Sequence, residues 1–202
     1  LFLPKYRNIG GGAGFSLKTV CGNFRVPVGD KVENAGLYHV NWGKVSVYFI
    51  DNAKYFDREG LYRTKSGDYQ DNDERFIFFS RATLEAAKFI DFKPDIIHCH
   101  DWQTGLIPAY LKTVYSLDAF FAKTKSVFSI HNVAYQGCFS RDAVTKAGFG
   151  WENFTPDKLE FYGGINFLKS GLVYADCLTT VSPTYAKEIQ YGPDFGRGLE
   201  GV

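Results

Sequence analysis

The chain has 202 residues, enough for one α/β domain with a sizeable hydrophobic core, and its 45% apolar share excludes a disordered chain. The formal net charge is +1, from 23 basic and 22 acidic residues that are interspersed, so neither nucleic acid nor an anionic membrane is an expected partner. We also expect no membrane-spanning helix, since no apolar run approaches about 18 residues, and no secretory leader, since no basic-then-apolar segment is present. Aromatic residues reach 17%, which suits a surface that stacks on flat or sugar-like ligands as well as an apolar core.

The first half of the chain is predicted to begin with strands. Pro4 should end a strand that contains Leu1–Leu3, because proline has no N–H to donate to a sheet. A loop with four glycines follows, and it lacks the spacing of a phosphate-binding P-loop, which favours a surface turn (Gly10, Gly11, Gly12 and Gly14). Apolar residues then alternate over 23–50, which predicts a β-meander with a hairpin turn at 41–44.

The second half is predicted to alternate helices and strands. A helix should start near residue 72, capped by Asp71 or Asn72, and end before Pro94. Three strand-then-helix units follow: strand 95–99 with helix 104–115, strand 126–130 with helix 156–174, and strand 177–181 with a helix opening at Ser182–Pro183. This alternation predicts an α/β fold with a doubly wound, mostly parallel, Rossmann-like sheet into which the β-meander is inserted.

The cysteines predict a type of cellular compartment, and the ends of the sequence predict a longer protein. The four cysteines (Cys21, Cys99, Cys138 and Cys177) lie far apart and form no CxxC pair, which predicts free, buried thiols in a reducing compartment. The chain starts at Leu1, contains no Met and ends after a glycine-rich turn, so we interpret it as part of a longer protein.

Polar and aromatic side chains follow two of the predicted strands. In an open parallel sheet, ligands bind at the carboxyl ends of the strands, so residues 98–102 and 131–137 should converge on one site. His98 and His100 share a strand face, and with Asp101 and His131 they could form a metal site of a metal-dependent hydrolase. We favour the alternative in which His98 bonds to the backbone and His100 packs or orients a neighbour, because further ligands are scarce.

Four segments resemble motifs of bacterial glycogen synthases and plant starch synthases, family 5 glycosyltransferases. They are PDIIHCHDWQTGL at 94–106, SIHNVAYQG at 129–137, NFLKSGLVYAD at 166–176 and TVSPTYAKEI at 180–189. Residues 3–6 resemble the end of the family's second strand, so the resemblance extends over nearly the whole chain in the family's order and spacing. The resemblance implies one domain of a GT-B glycosyltransferase, and we expect 1–202 to be its partial N-terminal, acceptor-side Rossmann-like domain. The first strand with its phosphate loop and the C-terminal nucleotide-binding domain would then be absent.

The resemblance also implies an activity. Family members transfer glucose from ADP-glucose, or UDP-glucose in some members, to the non-reducing-end 4-OH of an α-1,4-glucan, retaining the anomeric configuration without a metal or other cofactor. We expect ADP-glucose and glycogen or starch as partners, and a cytoplasmic location, or the plastid stroma if the source is a plant. Residues 1–202 alone should transfer no glucose, so a non-catalytic glucan-binding module stays an alternative function, with the metal-dependent hydrolase a further one.

Site roles follow from the same motifs. The resemblance places His131 against the transferred glucosyl ring, with its backbone carbonyl near the anomeric carbon, and Asp101 beside the sugar cleft, so these two are the catalytic candidates. The substrate-binding candidates are Asn132 and Gln136 for hydroxyl groups, Trp102 and Tyr135 for ring faces, and Tyr69 and Asn72 near the acceptor. For Trp102 and Tyr135, local packing under the loops is an equal alternative. Lys169, on the predicted helix 156–174, should be a solvated lysine.

Overall fold

The computed structural model describes residues 1–10 and 16–202. These residues divide into two compact units, Leu1–Ala86 and Ala87–Val202, and each is described by itself. Most of the predicted glycine loop, with Gly11, Gly12 and Gly14, lies outside the described residues.

The first unit contains a four-stranded sheet. Its strands are β1 (Phe2–Pro4), β2 (Lys18–Val28), β3 (Lys31–Trp42) and β4 (Val45–Asp51), in the order β1-β4-β3-β2. Strands β2, β3 and β4 are antiparallel neighbours, which confirms the predicted meander, and β1 pairs with β4 in parallel. The hairpin turn falls where it was predicted: Trp42 pairs with Val45, and Gly43 between them has φ 60°, a conformation that glycine adopts without strain.

The rest of the first unit leads into a long helix. It comprises α1 (Ala53–Phe56), the two-residue strands β5 (Arg63–Thr64) and β6 (Gly67–Asp68), and α2 (Asn72–Phe89), whose last residues belong to the second unit. The helix predicted from residue 72 is therefore confirmed. Phe76, Ile77 and Phe79 are buried in the core, as their spacing predicts, and Phe78 is buried as well.

The second unit contains the remaining elements. They are β7 (Ile96–His100), a 3₁₀ turn (Trp102–Thr104), α3 (Leu106–Lys112), β8 (Lys125–Ile130), β9 (Cys138–Phe139), α4 (Asp142–Ala147), a 3₁₀ turn (Trp151–Asn153), β10 (Glu160–Phe161), β11 (Gly164–Asn166), α5 (Phe167–Tyr174), β12 (Cys177–Thr180), α6 (Pro183–Glu188) and α7 (Gly192–Gly196). Helix α6 begins as predicted, because the Ser182 hydroxyl accepts the Tyr185 N–H at 3.0 Å and Pro183 occupies the first helical position.

Three of these strands form the parallel sheet that positions the site. Their order is β12-β8-β7, and in register His100 lies beside Ser129, which lies beside Thr179. Helix α5 lies close against one face of this sheet. A Cβ at Gly171 would stand 2.4 Å from the ring of the fully buried Phe128, so only glycine allows this approach.

The predicted helix 156–174 is wrong in its first half. Residues 160–166 instead form the hairpin β10–β11, and β11 also pairs with β9. The turn of this hairpin has positive φ at Tyr162 (48°) and Gly163 (83°), which a right-handed helix cannot include. Helix α5 begins only after Asn166, whose side chain accepts the Lys169 N–H at 2.9 Å.

Lys169 and the cysteines correct two further expectations. The Lys169 side chain is buried, and its ammonium donates to the carbonyls of Pro156 and Glu160, so it is not a solvated lysine. All four cysteines are free, but only Cys99 is buried, whereas Cys138 and Cys177 are exposed. Among the residues that the structure describes, no helix has the length and apolar character needed to cross a membrane.

Candidate functional site

The Asp101 carboxylate joins the two loops that leave β7 and β8. Its own N–H donates to the Ser129 carbonyl at 3.0 Å, which extends the pairing of the two strands by one residue. The Oδ1 atom accepts the His131 N–H at 2.7 Å and, more weakly, the Asn132 N–H at 3.5 Å. The two loops that the sequence predicts to converge are therefore connected by a side chain from one to the backbone of the other.

Asp101 makes these bonds from an unfavourable backbone conformation. Its φ is 54° and its ψ is −174°, in a region that is essentially restricted to glycine. A residue held there costs about 1–3 kcal/mol, which the surrounding contacts must offset. The strain lies at a candidate catalytic residue, where such outliers concentrate.

A row of polar side chains crosses the exposed face of the parallel sheet beside Asp101. The Ser129 hydroxyl lies 2.5 Å from the Thr179 hydroxyl and 2.7 Å from Nε2 of His98. The rings of His98 and His100 have centroids 4.3 Å apart. Nδ1 of His100 then lies 3.0 Å from Nε2 of His131, so the row ends at the imidazole that the sequence marks as catalytic.

The pKa of His100 is lowered from its ordinary value. Partial burial of the ring is the first cause, and the neighbouring rings of His98 and His131 add to it because a second positive charge beside them is unfavourable. The Asp101 carboxylate opposes the shift. The neutral form of His100 is therefore favoured at neutral pH.

The histidines were also weighed as metal ligands. Across residues 1–10 and 16–202, the structure places no group of three His, Cys, Asp or Glu side chains so that it could hold a metal ion. The expectation that His98 bonds to the backbone is wrong, because the residue is exposed and its Nε2 faces the Ser129 hydroxyl. His100 faces another imidazole, and Asp101 faces backbone N–H groups. The absence of a metal requirement stays a prediction.

The two candidate stacking residues differ sharply in exposure. Trp102 is 8% exposed, and a Cβ at Gly137 would stand 2.4 Å from its ring, so the indole packs beneath the loop that follows β8. The packing alternative thus describes Trp102, and in this arrangement its faces are covered rather than offered to a sugar. Tyr135 is 68% exposed, and its ring remains accessible for stacking.

The candidate hydroxyl ligands hold the shape of the same loop. The Asn132 Oδ1 atom accepts the Ala134 N–H at 3.0 Å, an Asx turn that bends the chain after His131. Gln136 donates to the Arg197 carbonyl at 3.1 Å and accepts from Asn166 at 2.7 Å. Their role in sugar binding stays a prediction.

Tyr69 and Asn72 belong to the first unit and are engaged there. The Tyr69 hydroxyl accepts the Gly60 N–H at 3.0 Å, and its ring lies 5.0 Å from the Arg75 guanidinium. Asn72 is buried, donating to the Tyr62 carbonyl at 2.9 Å and accepting from Arg75 at 2.7 Å. These contacts support the start of α2, and an acceptor-binding role for both residues stays a prediction.

Three site residues were not singled out from the sequence. Ser129 and Thr179 supply the hydroxyls of the polar row, and the Tyr185 hydroxyl accepts the Val133 N–H at 2.9 Å, which holds the loop after β8. Strand alternation could have placed Ser129 on the face of His131, two residues away. No local signal marks Tyr185, because its contact spans 52 residues of sequence.

Comparisons with known proteins identify the family to which this chain is similar. The family model described as "Starch synthase catalytic domain" matches residues 1–202. A glycogen synthase of Elusimicrobium minutum is 59% identical over 202 residues, all of this chain and 42% of that protein. A glycogen synthase of Thermodesulfovibrio yellowstonii is 51% identical over 191 residues, 95% of this chain and 38% of that protein.

A solved structure has the same fold. It is the catalytic domain of starch synthase IV from Arabidopsis thaliana bound to ADP and acarbose, with a TM-score of 0.88 and 29% identity over 99% of this chain and 41% of that one. This likeness confirms the α/β fold of GT-B glycosyltransferases that the motifs predict. The chain spans about two-fifths of the length of the relatives it matches.

Proposed function

We propose, from the premise that this chain belongs to the starch synthase catalytic domain family, that it supplies the sugar-contacting residues of a retaining glucosyltransferase. The intact protein would transfer glucose from ADP-glucose to the non-reducing-end 4-OH of an α-1,4-glucan. The relatives named glycogen synthase and the starch synthase fold support the glucosyl transfer and the glucan acceptor. The preference for ADP-glucose over UDP-glucose rests on the motif resemblance.

One observation carries the proposal: the Asp101 carboxylate holds the His131 N–H at 2.7 Å where β7 and β8 end. The same carboxylate also accepts the Asn132 N–H at 3.5 Å, and because that N–H shares a peptide plane with the His131 carbonyl, this weaker bond limits where the carbonyl can point. A transition state with oxocarbenium character has positive charge at the anomeric carbon, and a preorganised carbonyl dipole beside that carbon stabilises it. We assign this role to the carbonyl of His131.

The His131 side chain would make a second contact, to the transferred glucose itself. It is exposed at the strand end, and its ring is oriented by His100. A neutral or charged imidazole can donate a hydrogen bond to a sugar hydroxyl. If that contact strengthens as the glycosidic bond to the nucleotide breaks, it lowers the barrier and not merely the binding energy.

The test is the His131→Ala variant of the intact protein that contains this chain. Losing one polar contact in a water-excluded site costs about 10²–10³ in rate, so kcat should fall by that factor while the KM for ADP-glucose changes little. The matched control is Lys123→Ala, an exposed position in the same unit, which should leave kcat unchanged.

Folding of both variants is checked by thermal denaturation. Near-normal kcat in His131→Ala would place the reaction elsewhere and sink the proposal. Measuring glucan binding on the same samples separates the enzyme from a glucan-binding module, because a module would bind glucan with no detectable transfer from either ADP-glucose or UDP-glucose.

A further inference from the structure

We infer that His100 is a positioning residue, which holds the imidazole of His131 in one orientation, and couples its tautomer to that of His100, through the hydrogen bond between Nδ1 of His100 and Nε2 of His131. The inference rests on the proposed function, since it gives His100 an effect on catalysis only through His131. His100 itself need not touch a substrate.

The geometry gives His131 two separate anchors. Its backbone N–H is held by Asp101 at 2.7 Å, and its ring nitrogen Nε2 lies 3.0 Å from Nδ1 of His100. An imidazole has two side-chain torsions, so a fixed backbone and one directional bond at the far end of the ring restrict both. Without the second anchor, the exposed ring could turn away from the sugar at little cost.

His100 is itself held in place by the sheet. It is the last residue of β7, and its N–H donates to the Thr104 hydroxyl at 2.6 Å, while that hydroxyl donates to the His100 carbonyl at 2.8 Å. The ring lies against that of His98, which bonds to Ser129. Because strand positions are more rigid than loop positions, the bond to His100 holds the ring of the loop residue His131 in a better-defined position.

The bond also couples the proton positions of the two rings. Only one proton fits between the two facing nitrogens, so one ring donates and the other accepts. If Nδ1 of His100 donates, His131 must carry its own proton on Nδ1, and the reverse assignment is equally definite. The lowered pKa of His100 supports this arrangement, because two imidazolium rings could not share the bond.

The experiment compares His100→Ala with His100→Asn in the intact protein. One hydrogen bond shifts the equilibrium between the oriented and the free ring of His131 by about 3–10-fold. If only the oriented ring supports the reaction, His100→Ala should lower kcat by about that factor. The KM for ADP-glucose should stay within about two-fold, since the bound ground state is unaffected. The Asn side chain places a polar atom near the position of Nδ1, so His100→Asn should recover most of the lost kcat. Ile96→Ala, exposed on the same face of β7, is the control and should change nothing.

A double variant separates positioning from a general structural effect. If His100 acts only through the ring of His131, then His131→Ala with His100→Ala should have the same kcat as His131→Ala alone. Additive losses would overturn the inference, and so would a failure of Asn to restore kcat in a variant with unchanged melting temperature. A normal kcat in His100→Ala with a reduced kcat in His131→Ala also overturns it and leaves the proposed function standing. Normal rates in both would instead refute the proposed function.

Discussion

Because the backbone of Asp101 is strained, we expect a glycine at this position to give a more stable protein than an alanine, which is the reverse of the usual order. Both substitutions remove the same carboxylate and its bonds to the loop after β8, so that loss cancels when the two variants are compared. Alanine keeps the strain at φ 54° and ψ −174°, whereas glycine adopts these angles freely. The strain is worth about 1–3 kcal/mol, and glycine's greater unfolded-state entropy offsets about 0.5–1 kcal/mol of its relief. We therefore expect Asp101→Gly to be more stable than Asp101→Ala, by up to about 2.5 kcal/mol.

Urea denaturation of the intact protein, followed by fluorescence, measures the difference. The control is the same pair of substitutions at Lys123, where φ is not positive and glycine should be the less stable residue by about 0.5–1 kcal/mol. The opposite signs at the two positions are the diagnostic result. An Asp101→Ala variant more stable than Asp101→Gly would refute the reasoning, because it would mean that the backbone strain is smaller than the entropy cost of glycine.

Two further predictions concern residues that support the site. Lys169→Ala removes the ammonium that bonds to two backbone carbonyls, so it should lower the free energy of unfolding by about 1.5–3 kcal/mol, measured by denaturation, while kcat, measured from initial rates, stays within a few-fold. The exposed control Lys123→Ala should change neither quantity. An unaltered stability in Lys169→Ala would contradict the observed contacts. Gly137→Ala adds a Cβ that would stand 2.4 Å from the Trp102 ring at φ 63°, so its melting temperature should fall further than that of Gly163→Ala, where φ is also positive and nothing lies within 4 Å. Equal losses in the two glycine variants would show that Trp102 moves aside freely.

Much of the fold could be predicted because its signals are local. The strands now assigned as β7, β8 and β12 are short apolar runs between turn residues, and the start of α6 is marked by Ser182–Pro183. Helix α2 combines acidic residues at its start with buried aromatic residues at helical spacing. In each case the interactions that form the element lie within a few residues of one another.

The region before α5 shows where periodicity fails. Apolar residues over 156–174 fit a helix, yet the hairpin β10–β11 is selected by pairing with β9 and by the turn at Tyr162–Gly163. The wrong prediction for Lys169 follows from the same error, since in a helix the carbonyls of Pro156 and Glu160 would accept intrahelical N–H groups instead of the Lys169 ammonium. Tertiary structure supplies the pairing strand and the carbonyl acceptors, so the local sequence pattern does not predict them.

The site was predictable to the level of loops. The rule that parallel strands present ligand-binding residues at their carboxyl ends places Asp101 and His131 at one edge, and the structure confirms that they meet. The rule does not say which atoms are in contact. The sequence could not show that Asp101 faces a backbone N–H, that His100 faces the ring of His131, or that Trp102 is covered by Gly137.

The residue at position 101 must satisfy two demands that conflict. Glycine would relieve the strained backbone but offers no acceptor for the His131 N–H, and a longer carboxylate would have to place its oxygen differently to keep the 2.7 Å contact. Aspartate supplies the acceptor for the His131 N–H but leaves the backbone strained. Selection for stability alone does not favour that combination. Asp101 acts on the backbone of His131, and through it on the carbonyl assigned to the anomeric carbon, whereas His100 acts on the ring alone. The kcat of the Asp101→Gly variant is therefore informative beside that of His131→Ala. If the carbonyl contributes, Asp101→Gly should be impaired although the His131 imidazole is intact, and an undiminished kcat would leave the ring as the contributor.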